Sequence, residues 1–230
     1  MHRLKVLRIR LLIGLLISCA LLNTAHAQQS LKLSLGEYRI LDGADSYGFT
    51  SINSKYSSQN YQASLSLPYI SGYRGESGVG NVAVKLAYLT QWRKNYIDLN
   101  YRQKLATADD QLTVPAWDTG MSIELARYLV GGVGFMELGY NWRHKAQGSQ
   151  AERKNSLFYA LGGSYPLMKY LSAGMILDHK PTALGQLNRN ITGFAQYKLN
   201  QTHRIGVNAF KGLTQASPNW TLGLVWTQKF

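Results

Sequence analysis

The chain has 230 residues and a formal net charge of +13, and 45% of its residues are hydrophobic while only 16% are charged. The hydrophobic share is sufficient for a folded protein, and 15 Tyr and 22 Gly beside only 5 Pro favour strands and tight turns over helices. No basic stretch is interleaved with aromatic residues, so we expect no nucleic-acid partner.

The N-terminus has the three parts of a secretory signal peptide. Residues 1–10 carry four Lys and Arg and no acidic residue, residues 11–22 are apolar, and Ala-His-Ala follows at 25–27. The apolar run is too short for a transmembrane helix, which needs about 20 residues. We therefore predict a signal peptide over 1–27. The sequence Leu-Ile-Ser-Cys at 16–19 leaves a second interpretation open, a lipoprotein acylated at Cys19.

The mature chain, 28–230, has neither disulfides nor balanced charge. Cys19 is the only cysteine and would leave with the signal peptide, so another device must hold the exported protein together. Removal of the signal leaves 21 basic and 12 acidic groups, a net charge of +9. This excess could favour anionic partners, such as lipid head groups or acidic solutes, but scattered solvated charge is the preferred interpretation.

From residue 28 onward, apolar residues recur at every second position in segments of about ten residues, separated by turn residues. Between Tyr61 and Tyr69, for example, the odd positions are apolar or aromatic, and the even positions hold Gln, Ser, Ser and Pro. Each segment thus has one apolar face and one face of polar, charged or small residues. The pattern predicts twelve strands, near 30–41, 46–57, 60–70, 79–92, 95–106, 117–129, 133–145, 155–166, 169–180, 189–200, 203–212 and 219–230.

This alternation suits both a soluble β-sandwich or lipocalin-like barrel, with its apolar face inward, and a transmembrane β-barrel, with its apolar face toward lipid. Three features favour the transmembrane barrel. The segments have the length that a tilted membrane strand needs, the opposite faces are rich in Gly, Ser and mixed charges, and short and long connections alternate. We therefore predict an all-β fold, an antiparallel up-and-down barrel in the outer membrane of a bacterial cell. Pairing between strands would satisfy its backbone without disulfides.

The predicted connections set the orientation of this barrel. The short ones are 58–59, 93–94, 130–132, 167–168 and 201–202, and the longer ones are 42–45, 71–78, 107–116, 146–154, 181–188 and 213–218. With twelve strands, both termini lie on the short-turn side, which is periplasmic in outer-membrane barrels. The segment 36–57 alternates poorly, so ten strands is the second interpretation.

The last segment carries an assembly signature. Trp220, Leu222, Leu224, Trp226 and Phe230 share one face, which predicts two tryptophans near the two lipid interfaces. A final strand that ends in Phe is similar to the C-terminal signature of bacterial outer-membrane proteins, which the barrel-assembly machinery reads. Gln228 departs from that signature, in which an apolar or aromatic residue is usual two positions before the end.

Strand parity assigns ten charged side chains to the barrel lumen: Lys85, Asp98, Arg102, Lys104, Glu124, Glu137, Arg143, Asp178, Lys180 and Lys198. Because unpaired charges are costly in a narrow lumen, we expect the carboxylates of Asp98, Glu124 and Glu137 to pair with Arg102, Lys85 or Arg143. Two interpretations stay open, a salt-bridged plug and a mildly cationic pore or pocket with a narrow solute path. The rings of Tyr69, Tyr73 and Trp117 could contact an aromatic solute or lie at the membrane interface.

Three stretches together resemble a known family. They are the element from Leu67 to Ser71 followed by Gly78–Tyr88, the strand end Lys104–Asp109, and Gly212–Trp220 before the last strand. The chain is similar in these stretches to proteins of the MetA-pathway-of-phenol-degradation type. That resemblance covers roughly 60–230 and implies a small outer-membrane barrel that passes hydrophobic or aromatic solutes. Ala106 and Asn81 replace the usual Pro and Asp of the family.

A passive channel for small molecules is therefore the leading hypothesis, with outer-membrane lipid, the assembly machinery and a small solute as partners. A lipid-acting hydrolase is the alternative, since outer-membrane phospholipases are also twelve-stranded barrels that use Ser and His on the outer wall. The mature histidines are His144 and His179 near the long-loop rim and His203 at a short turn, and His179 shares the lipid-facing parity of Leu177. The histidines are scattered and no cysteine remains, so we expect no metal and no cofactor. A structural or surface-interaction barrel is the third hypothesis.

Overall fold

The computed structural model describes residues 29–42, 45–109, 112, 116–145 and 152–230. The predicted signal peptide and Cys19 lie outside these ranges. No helix within them is long and apolar enough to cross a membrane. The strands are β1 (Ser30–Asp42), β2 (Asp45–Ser57), β3 (Tyr61–Tyr73), β4 (Glu76–Val79), β5 (Ala83–Trp92), β6 (Asn95–Lys104), β7 (Asp118–Leu129), β8 (Gly132–Arg143), β9 (Ser156–Met168), β10 (Leu171–His179), β11 (Arg189–Lys198), β12 (His203–Gly212) and β13 (Trp220–Lys229).

All the strands except the short β4 form a closed, antiparallel, twelve-stranded barrel. Each strand pairs with the next barrel strand along the chain, and β13 pairs with β1 to close the cylinder. At this seam Trp226 lies opposite Leu35, and the Phe230 amide donates a 2.8 Å hydrogen bond to the Leu31 carbonyl. The prediction of twelve strands is confirmed. Closure leaves no unpaired barrel edge, which explains how a chain without disulfides is held together.

The connection between β3 and β5 differs from the predicted one. β3 continues to Tyr73 and folds back through Arg74 and Gly75, whose φ angles are 51° and 83°, into β4. Two consecutive positive φ angles are typical of a type I′ hairpin turn, whose twist matches that of the strands. Val79 therefore belongs to this small hairpin, and the next barrel strand begins only at Ala83, not at residue 79.

A second difference concerns the first connection, which the sequence predicts to be one of the longer ones. β1 ends at Asp42 and β2 begins at Asp45, and these two residues are paired directly. Only two residues therefore join the strands, so the rule of long external loops fails at this hairpin. The other long connections stay on one end of the barrel, and the two described termini lie at the opposite, short-turn end.

The outer face of the barrel exposes a band of large aliphatic side chains flanked by aromatic ones. Exposed rings at the short-turn end are Tyr61, Tyr88, Trp92, Tyr165, Tyr170, Tyr197 and Trp226. Exposed rings at the long-loop end are Tyr69, Trp117, Tyr140, Trp142 and Trp220. Two aromatic belts around an apolar band are the surface pattern of a barrel that spans a lipid bilayer.

One part of the outer face breaks this pattern and accounts for the poor alternation of 36–57. Glu37 and Arg39 lie opposite Leu224 and Leu222, and so on the outer face. Thr50 Oγ1 donates to Glu37 Oε2 at 2.5 Å, and Arg39 Nε donates to Ser46 Oγ at 2.7 Å. We name these four side chains the polar outer strip. β1 and β2 are thus polar on both faces around this strip, although they pair as regularly as the other strands.

Aromatic rings on the inner face lie over glycines of the neighbouring strand. In each case the ring and the glycine are directly opposite in register, and a Cβ on the glycine would overlap the ring. The pairs are Phe158–Gly139, Phe135–Gly162, Phe194–Gly174 and Tyr38–Gly223. Glycine is needed at these positions because the ring must lie flat against the backbone of the facing strand.

Candidate functional site

The lumen has two chemically different walls. Residues that lie directly opposite in an antiparallel pair point to the same face, so the register assigns each side chain. The charged wall consists of the inner-face side chains of β5–β8: Lys85, Asp98, Arg102, Lys104, Asp118, Glu124, Glu137 and Arg143. The aromatic wall lies across from it and consists of Ile176 on β10, Phe194 on β11, Phe210 on β12 and Tyr38 on β1.

The structure places nine of the ten charged residues singled out by sequence on the inner face. Asp178 lies opposite Asn190 and accepts a 3.1 Å hydrogen bond from its side-chain amide, and Lys198 lies opposite Arg204. The register does not assign Lys180 to a face, because β10 ends at His179 and Lys180 is an exposed residue of the following loop.

A buried network holds the centre of the charged wall. Arg102 pairs with Glu137, and Ser122 Oγ donates to the same Glu137 oxygen at 2.7 Å. The Arg102 guanidinium also lies 5.0 Å from the centroid of the Phe158 ring, which is fully buried. The expected pairing of Glu137 with Arg102 is therefore present. It neutralises both charges at mid-lumen and fixes the orientation of the guanidinium.

Two other carboxylates do not form the contacts expected of them. Asp98 lies directly opposite Glu124, and Glu124 lies directly opposite Glu137. Among the described residues, neither Asp98 nor Glu124 has a basic group within 4.0 Å, and Lys85 is in no ion pair. The expectation was wrong for these side chains because the register aligns acids on three adjacent strands and leaves Lys85 opposite Arg102.

At the long-loop end, Asp118 links the wall to a loop. Its carboxylate pairs with Lys104 Nζ at 2.6 Å and with Arg153 Nη1 at 2.6 Å. Arg153 also donates to the carbonyl of His144 at 2.8 Å, and Arg143 donates to Ser156 Oγ and to the Pro181 carbonyl. These contacts draw loop segments onto the charged wall and narrow that end of the lumen.

The aromatic wall contains an open pocket of about 430 Å³. Its lining combines Phe194, Phe210 and Tyr38 with Ile176 and with small polar side chains of Thr192, Asn208 and Thr221. A second pocket, of about 260 Å³, lies on the charged wall beside Lys85 and Arg102. The inner phenylalanines were not predicted from sequence, although Phe194 and Phe210 share the parity of polar neighbours such as Thr192 and Asn208. That shared parity was the available signal.

The aromatic residues near the loops do not belong to the aromatic wall. Tyr69 and Trp117 are about half exposed, at the outer long-loop belt. Tyr73 packs edge-on against Tyr47 with 5.0 Å between the ring centroids. Tyr69 and Trp117 therefore belong to the outer belt and not to the aromatic wall.

The short-turn end of the lumen carries a row of basic side chains, most of which were not predicted from sequence. Five basic residues lie on the inner face of β11, β12, β13, β1 and β2, which are consecutive around the barrel: Lys198, Arg204, Lys229, Lys32 and Lys55. We name them the cationic arc. Of the lumen residues predicted from sequence, only Lys198 belongs to the arc, because Lys32 and Lys55 lie on the first two strands, whose segment 36–57 alternates poorly, and Arg204 and Lys229 lie near strand ends.

His179, the candidate of the hydrolase hypothesis, is the last residue of β10. Its direct neighbours on the adjacent strands are Tyr159 and Arg189. The imidazole stacks on the Tyr159 ring at 4.9 Å, and Arg189 Nε lies 3.5 Å from Nδ1. No group of three or more His, Cys, Asp or Glu that could hold a metal ion occurs within the described ranges.

The stretches that carry the family resemblance hold the long loops in place. Val79 N donates to Asp109 Oδ2 at 3.0 Å, and Val82 N donates to Thr107 Oγ1 at 2.8 Å. In the last loop, the buried Ser217 Oγ donates to Asn188 Oδ1 at 2.9 Å. These residues therefore support loop structure, which explains why the motifs alone do not identify a solute.

The comparisons with known proteins find similarity in structure only. No protein-family model matches the sequence, and no curated protein matches it. The COG4313 outer membrane channel from Pseudomonas putida F1 superposes with a TM-score of 0.64 at 13% identity, over 88% of this chain and 95% of that one. The NanC porin superposes with a TM-score of 0.65 at 10% identity, over 87% of this chain and 98% of that one.

Outer membrane phospholipase A from Escherichia coli is also similar, with a TM-score of 0.52 at 7% identity, over 85% of this chain and 95% of that one. Identities this low show a shared fold alone. The resemblance to the phenol-degradation type is not confirmed by these findings and stays a prediction. The structure and its similarity to these solved proteins together support a small outer-membrane β-barrel fold for this chain.

Proposed function

We propose that this protein is a passive outer-membrane channel for small molecules, including hydrophobic or aromatic ones. The observation that carries the proposal is the two-sided lumen, in which the aromatic wall with its 430 Å³ pocket faces the charged wall. Ring surfaces of Phe194 and Phe210 favour apolar parts of a solute, while the ionic groups opposite them keep the path hydrated.

The ion pairs support a narrow path in preference to a plug. Arg102 and Glu137 neutralise each other against the wall, and Asp118 is held by Lys104 and Arg153. Such pairs fix long side chains to one side of the lumen and leave the aromatic wall accessible. Twelve strands also lie between barrels filled by side chains, at about eight strands, and open porins at about sixteen.

Reconstitution into liposomes tests the proposal directly. Proteoliposomes in an osmotic gradient of arabinose or benzamide should swell faster than protein-free liposomes. Phe210→Ala should change the ratio of the benzamide rate to the arabinose rate, because it removes a ring from the aromatic wall. Leu222→Ala, on the outer face, is the matched control and should leave that ratio unchanged. If no solute enters faster than into protein-free liposomes, the channel proposal is wrong.

The proposal includes a biogenesis route. Export by the signal peptide 1–27 would deliver the chain to the periplasm, and Phe230 would be read by the barrel-assembly machinery. On β13, Trp220 lies in one aromatic belt of the barrel and Trp226 in the other, which supports their role as lipid-interface anchors. Outer-membrane lipid and the assembly machinery are the corresponding partners.

The hydrolase alternative has weaker support, since its candidate His179 stacks on Tyr159 and has no serine as a direct cross-strand neighbour. Phospholipid hydrolysis by the purified protein, lost in His179→Ala and kept in His203→Ala, would favour it over the channel.

A further inference from the structure

The cationic arc places basic side chains directly opposite one another on neighbouring strands. Lys32 lies directly opposite both Lys229 and Lys55, and Lys198 lies directly opposite Arg204. Like charges opposite each other destabilise a sheet. None of the ion pairs found between described residues includes a member of the arc. Within the described part of the chain, the hydrogen-bond acceptor found for Arg204 is the neutral amide oxygen of Gln196, at 3.3 Å.

Few acidic groups face the arc. On its own five strands, the described inner-face carboxylate is Asp42, which lies at the opposite end of β1. Across the lumen, Asp98 lines a pocket of about 480 Å³ together with Lys55, Gln62, Gln91 and Tyr96. Glu124 lies directly opposite Asp98 on the neighbouring strand and adds a second carboxylate on that side. Two acidic groups against five basic ones leave this mouth of the lumen positive.

We propose that the cationic arc binds and selects small organic anions, with carboxylates as the chemical class, at the short-turn mouth. This inference rests on the proposed channel function and names the charge of its solutes. The ammonium of Lys55 and the amides of Gln62 and Gln91 line one pocket, and both kinds of group donate hydrogen bonds to a carboxylate.

The same strands join the arc to the aromatic wall. Lys198 and Phe194 are both on the inner face of β11, four residues apart, which is about 13 Å along a strand. Arg204 and Phe210 share β12, and Lys32 and Tyr38 share β1. On β11 the Lys198 side chain and the Phe194 ring span the 13 Å between them, whereas the other two pairs are six residues, or about 20 Å, apart. An aromatic carboxylate can therefore pass from the basic groups to the rings along one strand.

Planar-bilayer recordings in a tenfold KCl gradient test the selection. The reversal potential should show that chloride permeates better than potassium in the wild type. Lys32→Gln/Lys55→Gln should lower the chloride-to-potassium permeability ratio at least about threefold, since one charge about 7 Å from an ion in water changes its local concentration by that factor. Lys94→Gln/Lys169→Gln is the matched control, because both lysines are exposed in turns at the same end.

Swelling of proteoliposomes in benzoate and in its neutral isostere benzamide tests the solute class. Benzoate should enter faster than benzamide, and this preference should disappear in Lys32→Gln/Lys55→Gln but not in the control. A conducting channel that prefers potassium, or a benzoate preference that survives the double substitution, would overturn the anion site alone. Absence of both conductance and swelling would overturn the channel function itself, so the two failures are distinguishable.

A separate observation, the polar outer strip, points to a second inference. Leu35 and Leu41 lie opposite Trp226 and Trp220, so Glu37 and Arg39 lie between the levels of the two aromatic belts. On the other described barrel strands, outer-face Lys and Arg lie near strand ends, at Arg127, Arg189 and Lys211. Charged groups in contact with lipid at this depth are costly, even with the hydroxyl contacts of Thr50 and Ser46.

We infer that a second copy of this chain covers the strip. A two-fold axis along the membrane normal keeps each residue at its own depth. Glu37 and Arg39 are about 7 Å apart along a tilted strand, so their depths differ by less than the reach of an arginine side chain. Each Glu37 can therefore pair with Arg39 of the partner subunit, which makes the strip complementary to itself. Beside it, small outer-face residues such as Gly193, Ala195 and Ala209 form a shallow groove of about 780 Å³ that accepts apolar side chains.

Charge exchange tests this dimer by light scattering of the protein in detergent and by cross-linking in lipid vesicles. The wild type should be dimeric, and Glu37→Arg should be mainly monomeric, because it opposes like charges. Glu37→Arg/Arg39→Glu should dimerise again, since the exchange restores complementarity. A monomeric wild type, or a dimer that is indifferent to Glu37→Arg, would refute the inference, and unchanged swelling rates would verify that each variant is folded.

Discussion

The buried pair of Arg102 and Glu137 supports the sharpest prediction about the lumen. The Glu137 side chain is only 10% exposed and that of Arg102 is 33% exposed. Removal of Arg102 by Arg102→Met leaves a buried carboxylate with only Ser122 as a donor. Breaking a buried pair costs about 3–5 kcal/mol, and the exposure of Arg102 reduces this to an expected loss of about 2–3 kcal/mol. Arg102→Met/Glu137→Leu should lose clearly less than the sum of the single substitutions, because no uncompensated charge remains.

The free energy of unfolding from lipid vesicles in urea, followed by tryptophan fluorescence, measures these differences. The double-mutant cycle should give a coupling energy of at least about 1.5 kcal/mol. A cycle on Lys104 and Asp118, whose side chains are 35% and 19% exposed, is the control and should give less than about 1 kcal/mol. If the effects of Arg102→Met and Glu137→Leu simply add, the pair does not hold the charged wall as argued.

Three further predictions concern packing, passage and assembly. Gly139→Val should destabilise the barrel by about 2 kcal/mol or more in the same urea assay, because its Cβ would overlap the Phe158 ring. Gly193→Ala is the control and should be nearly neutral, because its Cβ meets only the Ala209 carbonyl, at 4.0 Å. Phe210→Ala should raise the single-channel conductance in KCl by widening the aromatic wall; an unchanged conductance would show that ions do not pass this wall. Deletion of Phe230 should reduce the heat-modifiable, folded barrel in cell envelopes while refolding of the purified chain in detergent stays normal, and equal losses in both would indicate a stability defect in place of a recognition defect.

Much of the fold could be predicted from the sequence because the period of a strand is local. Alternating apolar positions predict β5–β13 within a few residues of their observed bounds. A membrane-spanning strand has an apolar side chain in contact with lipid at every second position. The same parity predicted the inner position of Arg102 and Glu137. Where lipid does not dictate the pattern, as at Glu37 and Arg39, parity was weak, and Lys32 and Lys55 on the inner face of the same strands were overlooked.

The site was harder to predict because it depends on register between strands. Asp98, Glu124 and Glu137 are correctly assigned to one face by parity, yet only the shear of the barrel decides that they lie in one row and that Arg102 reaches Glu137. The turn at Arg74 and Gly75 likewise depends on backbone geometry that no hydrophobic pattern encodes.

By itself, the sequence determined that this chain is a barrel of twelve strands with an apolar exterior, since alternation and turn residues act between near neighbours in the chain. Only the tertiary structure decided which inner side chains meet. Lys32 and Lys229 come together because β1 and β13 close the cylinder, and Phe158 covers Gly139 because two strands align at one register. These contacts join residues that local patterns treat independently, and the chemistry of the lumen follows from them.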